Sequence, residues 1–231
     1  MLQIDTLTDV AQQMQMATVE EPVQETINLW TMASYGGWIM IILALLLAGA
    51  VYLFIERLVV LRAATQEDKT FMNQIKDYIH NGKMDSAVNL CRAQDTPSAR
   101  MIEKGISRIG RPMQDVQVAV ENVGNLEVAN LEKNLVIMAT IAAGAPMLGF
   151  LGTVLGMVQT FYNMAQNASG VIEMSALSEG MYQAMVTTIG GLIVGILAMF
   201  AYNFLVARID RVVRRLEAKT MEFMDLLNEP A

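Results

Sequence analysis

The chain is short of almost everything that marks a soluble enzyme. It holds one cysteine, Cys91, and one histidine, His80, in 231 residues. A single cysteine excludes an internal disulfide and any CxxC metal or redox pair. A single histidine argues against a histidine-rich metal centre. No phosphate loop, zinc-ligand spacing or nucleophile elbow occurs, so the sequence predicts no enzyme activity, no metal and no cofactor. Five prolines and the lack of any low-complexity tract leave no room for a long disordered linker. Only 17% of residues are charged against 54% hydrophobic, which is outside the range of an ordinary soluble domain. The net charge of −7 speaks against nucleic acid as a partner.

The sharpest absence is local. No charged residue occurs in 26–55, 134–172 or 180–207. Each run exceeds the roughly 20 residues that cross a ~30 Å hydrocarbon layer. The spacing predicts an all-α membrane protein with three transmembrane helices, since a helix satisfies its backbone within the segment. The mean hydropathy of +0.37 is too low for a chain that is membrane throughout, so about half of it should lie in water.

Basic residues are also missing from 1–56 and 134–207; all 16 lie in 57–133 or 208–219. The positive-inside rule then places the N-terminus outside and the C-terminus in the cytoplasm. The resulting plan has a periplasmic segment at 1–30, spans at 31–56, 134–165 and 180–207, a cytoplasmic helical domain at 57–133, an outer loop at 166–179 and a cytoplasmic helix at 208–231. The first 25 residues lack the basic and apolar regions of a signal peptide, so the first span is expected to act as the insertion signal. Trp30, Tyr35 and Trp38 mark its outer end as an aromatic belt.

In the 57–133 segment, Ile75 and Ile79 fall on a helix that Asn81-Gly82 ends, a second helix covers Met84 to Ala93, and Thr96-Pro97 starts a third. Gly110-Arg111-Pro112 breaks that one. Val116, Val120, Val123, Leu126, Leu131, Leu135 and Met138 then recur at helical spacing, predicting one rod from 112 to 163. After the third span, Val206, Ile209, Val213, Leu216, Thr220, Phe223 and Leu227 form a heptad seam expected to pack on that rod, in the same chain or a neighbour. The basic run Arg208, Arg211, Arg214 and Arg215 is expected to anchor at the inner leaflet and meet membrane lipid. The 19 methionines are scattered and read as adaptable packing.

The second and third spans differ from the first. One carries Ala142, Pro146, Gly149, Thr153, Gly156 and Thr160 as a stripe of small and hydroxylated residues. The other carries Ala184, Thr188, Gly191, Gly195, Ala198 and Tyr202, with Gln183 and Thr187 beside them. Gly152/Gly156 and Gly191/Gly195 are GxxxG pairs. Close helix packing explains such stripes; so does a polar pore wall of hydroxyls and an amide. No ionisable side chain lies in any span core, so proton conduction would need a carboxylate from another chain.

At these residues the sequence resembles the MotA/TolQ/ExbB proton-channel family, in its ExbB or TolQ branch. The stretches NGKMDSAVNLCRAQDTPSARMIEKGI, EVANLEKNLVIMATIAAGAPMLGFLGTVLGMVQTFYNM and GMYQAMVTTIGGLIVGILAMFAYNF carry the likeness, over about residues 36–220. The resemblance implies a subunit of a bacterial inner-membrane motor, a homo-oligomer of five around a single-span ExbD/TolR-type partner that supplies an intramembrane aspartate. Work would pass to a TonB-type protein for outer-membrane import, or serve envelope integrity in a TolQ-like role. It implies that Thr153 and Thr188 line the pore. Gln183 stands where the family has glutamate, and Leu197 where it has proline. A non-conducting membrane scaffold is the reading that Gln183 favours.

Overall fold

The computed structural model describes residues 36–65, 70–166 and 174–228. These form seven helices and no strand: α1 Gly37–Thr65, α2 Phe71–His80, α3 Met84–Gln94, α4 Pro97–Ile106, α5 Met113–Glu132, α6 Leu135–Gln166 and α7 Met174–Asn228. Three stretches are long and apolar enough to cross a membrane, in α1, α6 and α7. At ~1.5 Å per residue the 55 residues of α7 extend about 80 Å, far beyond a hydrocarbon core of ~30 Å. The third apolar run therefore continues into water as one unbroken helix, as its heptad seam predicts.

α1 buries only Ile39, Leu43, Ala50, Arg57 and Leu61, a seam one residue wide, and leaves Trp38, Ile41, Leu45 and Ile55 exposed. Its inner face meets α7, where Met40 and Leu43 approach Gly190 and Phe54 stacks at a tilt on Phe204 with 6.0 Å between ring centroids. Of the expected aromatic belt, Trp38 is exposed, whereas Trp30 and Tyr35 lie outside the described residues.

The small helices end where the turn residues demand it. Gly82 takes φ +66°, which only glycine adopts freely, and the Asn81 amide donates to Asp77 O at 2.7 Å. Thr96 caps α4 by accepting from Ala99 N, with Pro97 at the first helical position. α4 then buries Met101, Ile102 and Ile106 against α5. Phe223 of α7 is fully buried against the Gly105 and Val120 positions, so α4, α5 and the α7 tail share one core. The burial of Ile209, Leu216 and Phe223 fits the predicted seam, and the tail of α7 packs on both α4 and α5 of the same chain. Arg100 binds Glu127 with both Nε and Nη2 at 2.8 Å and Asp95 Oδ1 at 2.6 Å, pinning α4 to α5.

One expectation needs correction. The rod expected from 112 to 163 is two helices, α5 and α6, interrupted at Lys133 and Asn134. Asn134 has φ +66°, a left-handed conformation that asparagine tolerates better than other residues with a Cβ. Its amide donates to Glu56 Oε2 at 3.3 Å, Glu56 accepts from Arg57, and Arg57 Nη1 donates to Asn130 O at 3.2 Å. Hydrogen bonds from α1 thus hold the break that apolar periodicity alone does not register.

Candidate functional site

α6 and α7 lie antiparallel in near-backbone contact. A Cβ placed on Gly149 would sit 2.9 Å from Thr187 O, and one on Gly191 would sit 2.6 Å from Ala145 O. Gly156 faces Ala184, with its notional Cβ 3.1 Å from the Ala184 methyl. Pro146 has no N–H, so the turn at Ala142 loses a helical hydrogen bond. Gly195 packs there, where a Cβ would meet the Pro146 ring at 2.5 Å and Ala142 O at 3.1 Å. The glycines and Ala184 of the sequence stripes are therefore the surfaces that bring two helices together.

The hydroxyls sort themselves around this seam. Thr187 is buried and donates to Ala184 O at 2.7 Å, with Gly149 O 3.5 Å away; a Cβ on Gly152 would lie 2.7 Å from the Thr187 Cβ. Thr160 is buried against Gly180 and donates to Gly156 O at 2.8 Å. Thr188 is half-buried and donates across the seam to Gly149 O at 3.3 Å. Thr153 is also half-buried, one turn along from Gly149, and donates to Phe150 O at 2.6 Å. The structure thus gathers Thr153, Thr187 and Thr188 about the Gly149–Gly152 turn. Gln183 is apart from them: it is exposed, and its amide nitrogen lies beside Gly37 at the start of α1.

The span residues 38–55, 135–166 and 180–207 contain no Asp, Glu, Lys, Arg or His. Charge resumes where the helices leave the apolar zone. Arg208 lies 5.6 Å from the Phe204 ring centroid, a cation–π distance, while Arg211, Arg214 and Arg215 are exposed on α7. Arg57 is the first basic residue after the first apolar run. The structure buries it at the α5/α6 break, and the adjoining Glu56 and Asn134 were the available signal.

Three long apolar helices packed by a glycine seam, with polar hydroxyls at its edge and charge only at its ends, define a multi-pass helical membrane protein. Residues 93–218, more than half the chain, match the MotA/TolQ/ExbB proton channel family, and the chain belongs to it. It is 36% identical over 121 residues to a protein named as an ExbB homologue in Methanothermobacter thermautotrophicus, covering 52% of this chain and 42% of that one. It is 42% identical over 79 residues to the biopolymer transport protein ExbB of Aquifex aeolicus, covering 34% and 52%. To the Tol-Pal system protein TolQ of Haemophilus influenzae it is 30% identical over 107 residues, 46% of each. The chain spans about half the length of these relatives.

Proposed function

We propose that the chain is the ring subunit of a proton-driven motor in a bacterial inner membrane. Five copies surround a single-span ExbD/TolR-type partner, and the assembly converts proton-motive force into work on a TonB-type protein for active outer-membrane import. The basic ends of the spans support the predicted orientation, with the bundle of α2 to α5 and the α7 tail in the cytoplasm. Arg208, Arg211, Arg214 and Arg215 form a basic collar at the inner leaflet.

The observation that carries this reading is a pairing of absence and presence. The spans hold no proton carrier, yet two hydroxyls stand half-exposed at the edge of the α6/α7 seam. Thr153 and Thr188 each donate to a backbone carbonyl, which leaves their oxygens free to accept. An acceptor pair suits a protonated carboxyl or a water rather than a carboxylate. It favours the neutral acid of the partner's aspartate, the form that moves most cheaply through a low-dielectric layer. Thr187 and Thr160 back this surface from within the seam. Gln183 carries no charge and exchanges no proton, so on this reading the partner's aspartate supplies the carboxyl that the spans lack.

Proton flux into vesicles holding the chain and its partner tests this. Flux should require the partner's aspartate, and Thr153→Val with Thr188→Val should cut it roughly ten-fold or more, as losing a buried hydrogen bond worth about 1–3 kcal/mol implies. Flux that survives loss of the aspartate, or ignores both valines, rejects the reading in favour of a scaffold. The match to a TolQ protein keeps a second role open, and rescue of import against rescue of detergent resistance separates the two.

A further inference from the structure

A groove of about 540 Å³ runs between α5 and the water-exposed end of α7. On α5 its wall repeats at Met113, Gln117, Glu121, Gly124 and Val128; on α7 it repeats at Val213, Glu217, Thr220, Met224 and Asn228. Steps of three and four make each wall a single helix face. At ~1.5 Å of rise per residue the trough is about 22 Å long. Met101, Gly124 and Leu216 are buried at its floor. With Met113, Met221 and Met224 the lining holds four methionines, side chains that reshape around whatever apolar surface they meet. Its charge is of one sign: Glu121, Glu217 and Asp225 line it, all exposed, and no lysine, arginine or histidine does. A soft apolar floor between acidic edges has the chemistry for one face of a cationic amphipathic helix, seated by apolar anchors a turn apart.

α7 fixes where this groove faces. It is one unbroken helix from Met174 to Asn228. Thr188 and Met224 are 36 residues apart, ten turns of about 3.6, so they share one azimuth. At about 100° per residue Val213, Glu217 and Thr220 lie within about 40° of it. The packing seam of α7 keeps to one side of that line throughout. Gly191 meets α6 at about −60°, and Ile209, Leu216 and Phe223 are buried between about −60° and −100°. The edge that leaves Thr188 half-exposed between the spans is thus the edge along which the groove opens below them. On the ring reading Thr188 faces the partner's span, so the groove opens towards the line that span follows into the cytoplasm. Measured from Ala207, the last residue before the basic run, the groove extends from about 9 Å to about 31 Å along α7. About ten to twenty residues of the partner beyond its own span reach that far, extended or helical. The positive-inside rule makes those residues basic, whichever end of a single-span protein lies inside. Charge and place therefore agree on the occupant.

We infer that the α5/α7 groove holds the basic cytoplasmic flank of the single-span partner, with its apolar side on the methionine floor and its cations at Glu121, Glu217 and Asp225. This rests on the ring reading above and adds to it a second attachment between partner and ring, outside the membrane.

Photo-cross-linking in membranes that hold the full chain and the partner tests it. A benzophenone side chain is placed at Gln117 or Met221, one on each wall, and at Glu222 on the far side of α7 as the control; adducts are mapped by mass spectrometry. Gln117 and Met221 should each give adducts on the partner's cytoplasmic flank, and Glu222 none above the background of a chain without the probe. Glu121→Lys, Glu217→Lys and Asp225→Lys together should cut the yield roughly ten-fold at low salt, and glutamates in place of the flank's basic residues should restore it in that variant. If the thermal midpoint shows that the triple variant does not fold, Glu121→Gln, Glu217→Gln and Asp225→Asn replace it, with a smaller loss expected. Adducts on a neighbouring copy instead of the partner mean that a second copy covers the groove, and equal yields at Glu222 mean mere proximity. Either overturns the inference, as does a yield that ignores the charge changes. No flank adduct while the partner still co-purifies with the chain overturns the groove and leaves the motor reading standing. A partner that does not co-purify with the unmodified chain removes that reading, and the inference with it.

Discussion

The α6/α7 seam makes a quantitative demand at Gly191. A methyl there would meet Ala145 O at 2.6 Å, Gly149 Cα at 2.8 Å and Gly149 N at 3.0 Å, all backbone atoms that no rotamer change can move. Ordinary carbon contacts lie near 3.5–4.0 Å, so the helices must part by about 0.6–1 Å. Overpacking of this kind costs about 1–3 kcal/mol, and an unyielding backbone puts it near the top of that range. The separation would also stretch the Thr188–Gly149 O bond, now 3.3 Å, past hydrogen-bond range, for about 1 kcal/mol more. Replacing a helical glycine by alanine returns about 1 kcal/mol of propensity. Gly191→Ala should therefore destabilise the chain by about 2–3 kcal/mol. Gly144→Ala and Gly49→Ala are the contrast, because nothing lies within 4 Å of a Cβ at either position. They should be neutral or up to about 1 kcal/mol stabilising. Equilibrium unfolding of the detergent-dispersed monomer, followed by near-ultraviolet circular dichroism, reads all three. A Gly191→Ala protein as stable as the parent, or a Gly144→Ala protein that loses as much, would refute the claim that backbone contact holds these spans.

Three further outcomes follow from the bundle outside the spans. Arg100→Ala strands Glu127, which is largely buried and holds both 2.8 Å bonds; allowing for the partial exposure of Arg100, it should cost about 2 kcal/mol in thermal unfolding, and an unchanged midpoint would mean the pair does not join α4 to α5. Asn134→Val puts a branched side chain at φ +66° and removes the bond to Glu56, for about 2 kcal/mol, whereas Asn134→Gly should lose only the bond. Burial pushes the Cys91 thiol from about 9 up to about 12, with nearby Glu103 adding to the shift. A polar alkylating reagent should therefore leave folded protein unlabelled at pH 8 and label unfolded protein fully. Because the folded value is raised, this contribution to stability is whole below pH 9 and fades as pH climbs towards 12. The difference in unfolding midpoint between parent and Cys91→Ala should shrink over that window and stay flat below it.

Much of the architecture could be read from punctuation. Asn81-Gly82, Thr96-Pro97 and Gly110-Arg111-Pro112 bracket α2 to α4 because a left-handed φ, a side-chain cap and a fixed φ are local requirements that residue type announces. The three spans were legible for a similar reason, since lipid tolerates no charge in their cores. The α5/α6 break was not. Leu131, Leu135 and Met138 continue one apolar face across it, and all three are buried, so periodicity gives no sign of interruption. What bends the chain there is a long-range link from Glu56 and Arg57, some 75 residues away, which no local window contains.

The functional stripes show a different limit. Packing and pore wall stood as rival readings of the same residues, and the structure shows why composition could not separate them. A helix face one turn wide contains both the centre of an interface and its edge. Glycine at 149, 152 and 191 brings the backbones so close that the centre has room only for hydroxyls that bond inward, and Thr187 and Thr160 occupy it. One residue further round, at Thr188, the same spacing leaves the side chain half-exposed, although its proton still goes to Gly149 O. Close packing and a hydroxyl-bearing edge therefore share one face, with the hydroxyl protons of Thr153 and Thr188 taken by backbone carbonyls. Under the proposed function, such acceptors would select a partner group that arrives with its proton.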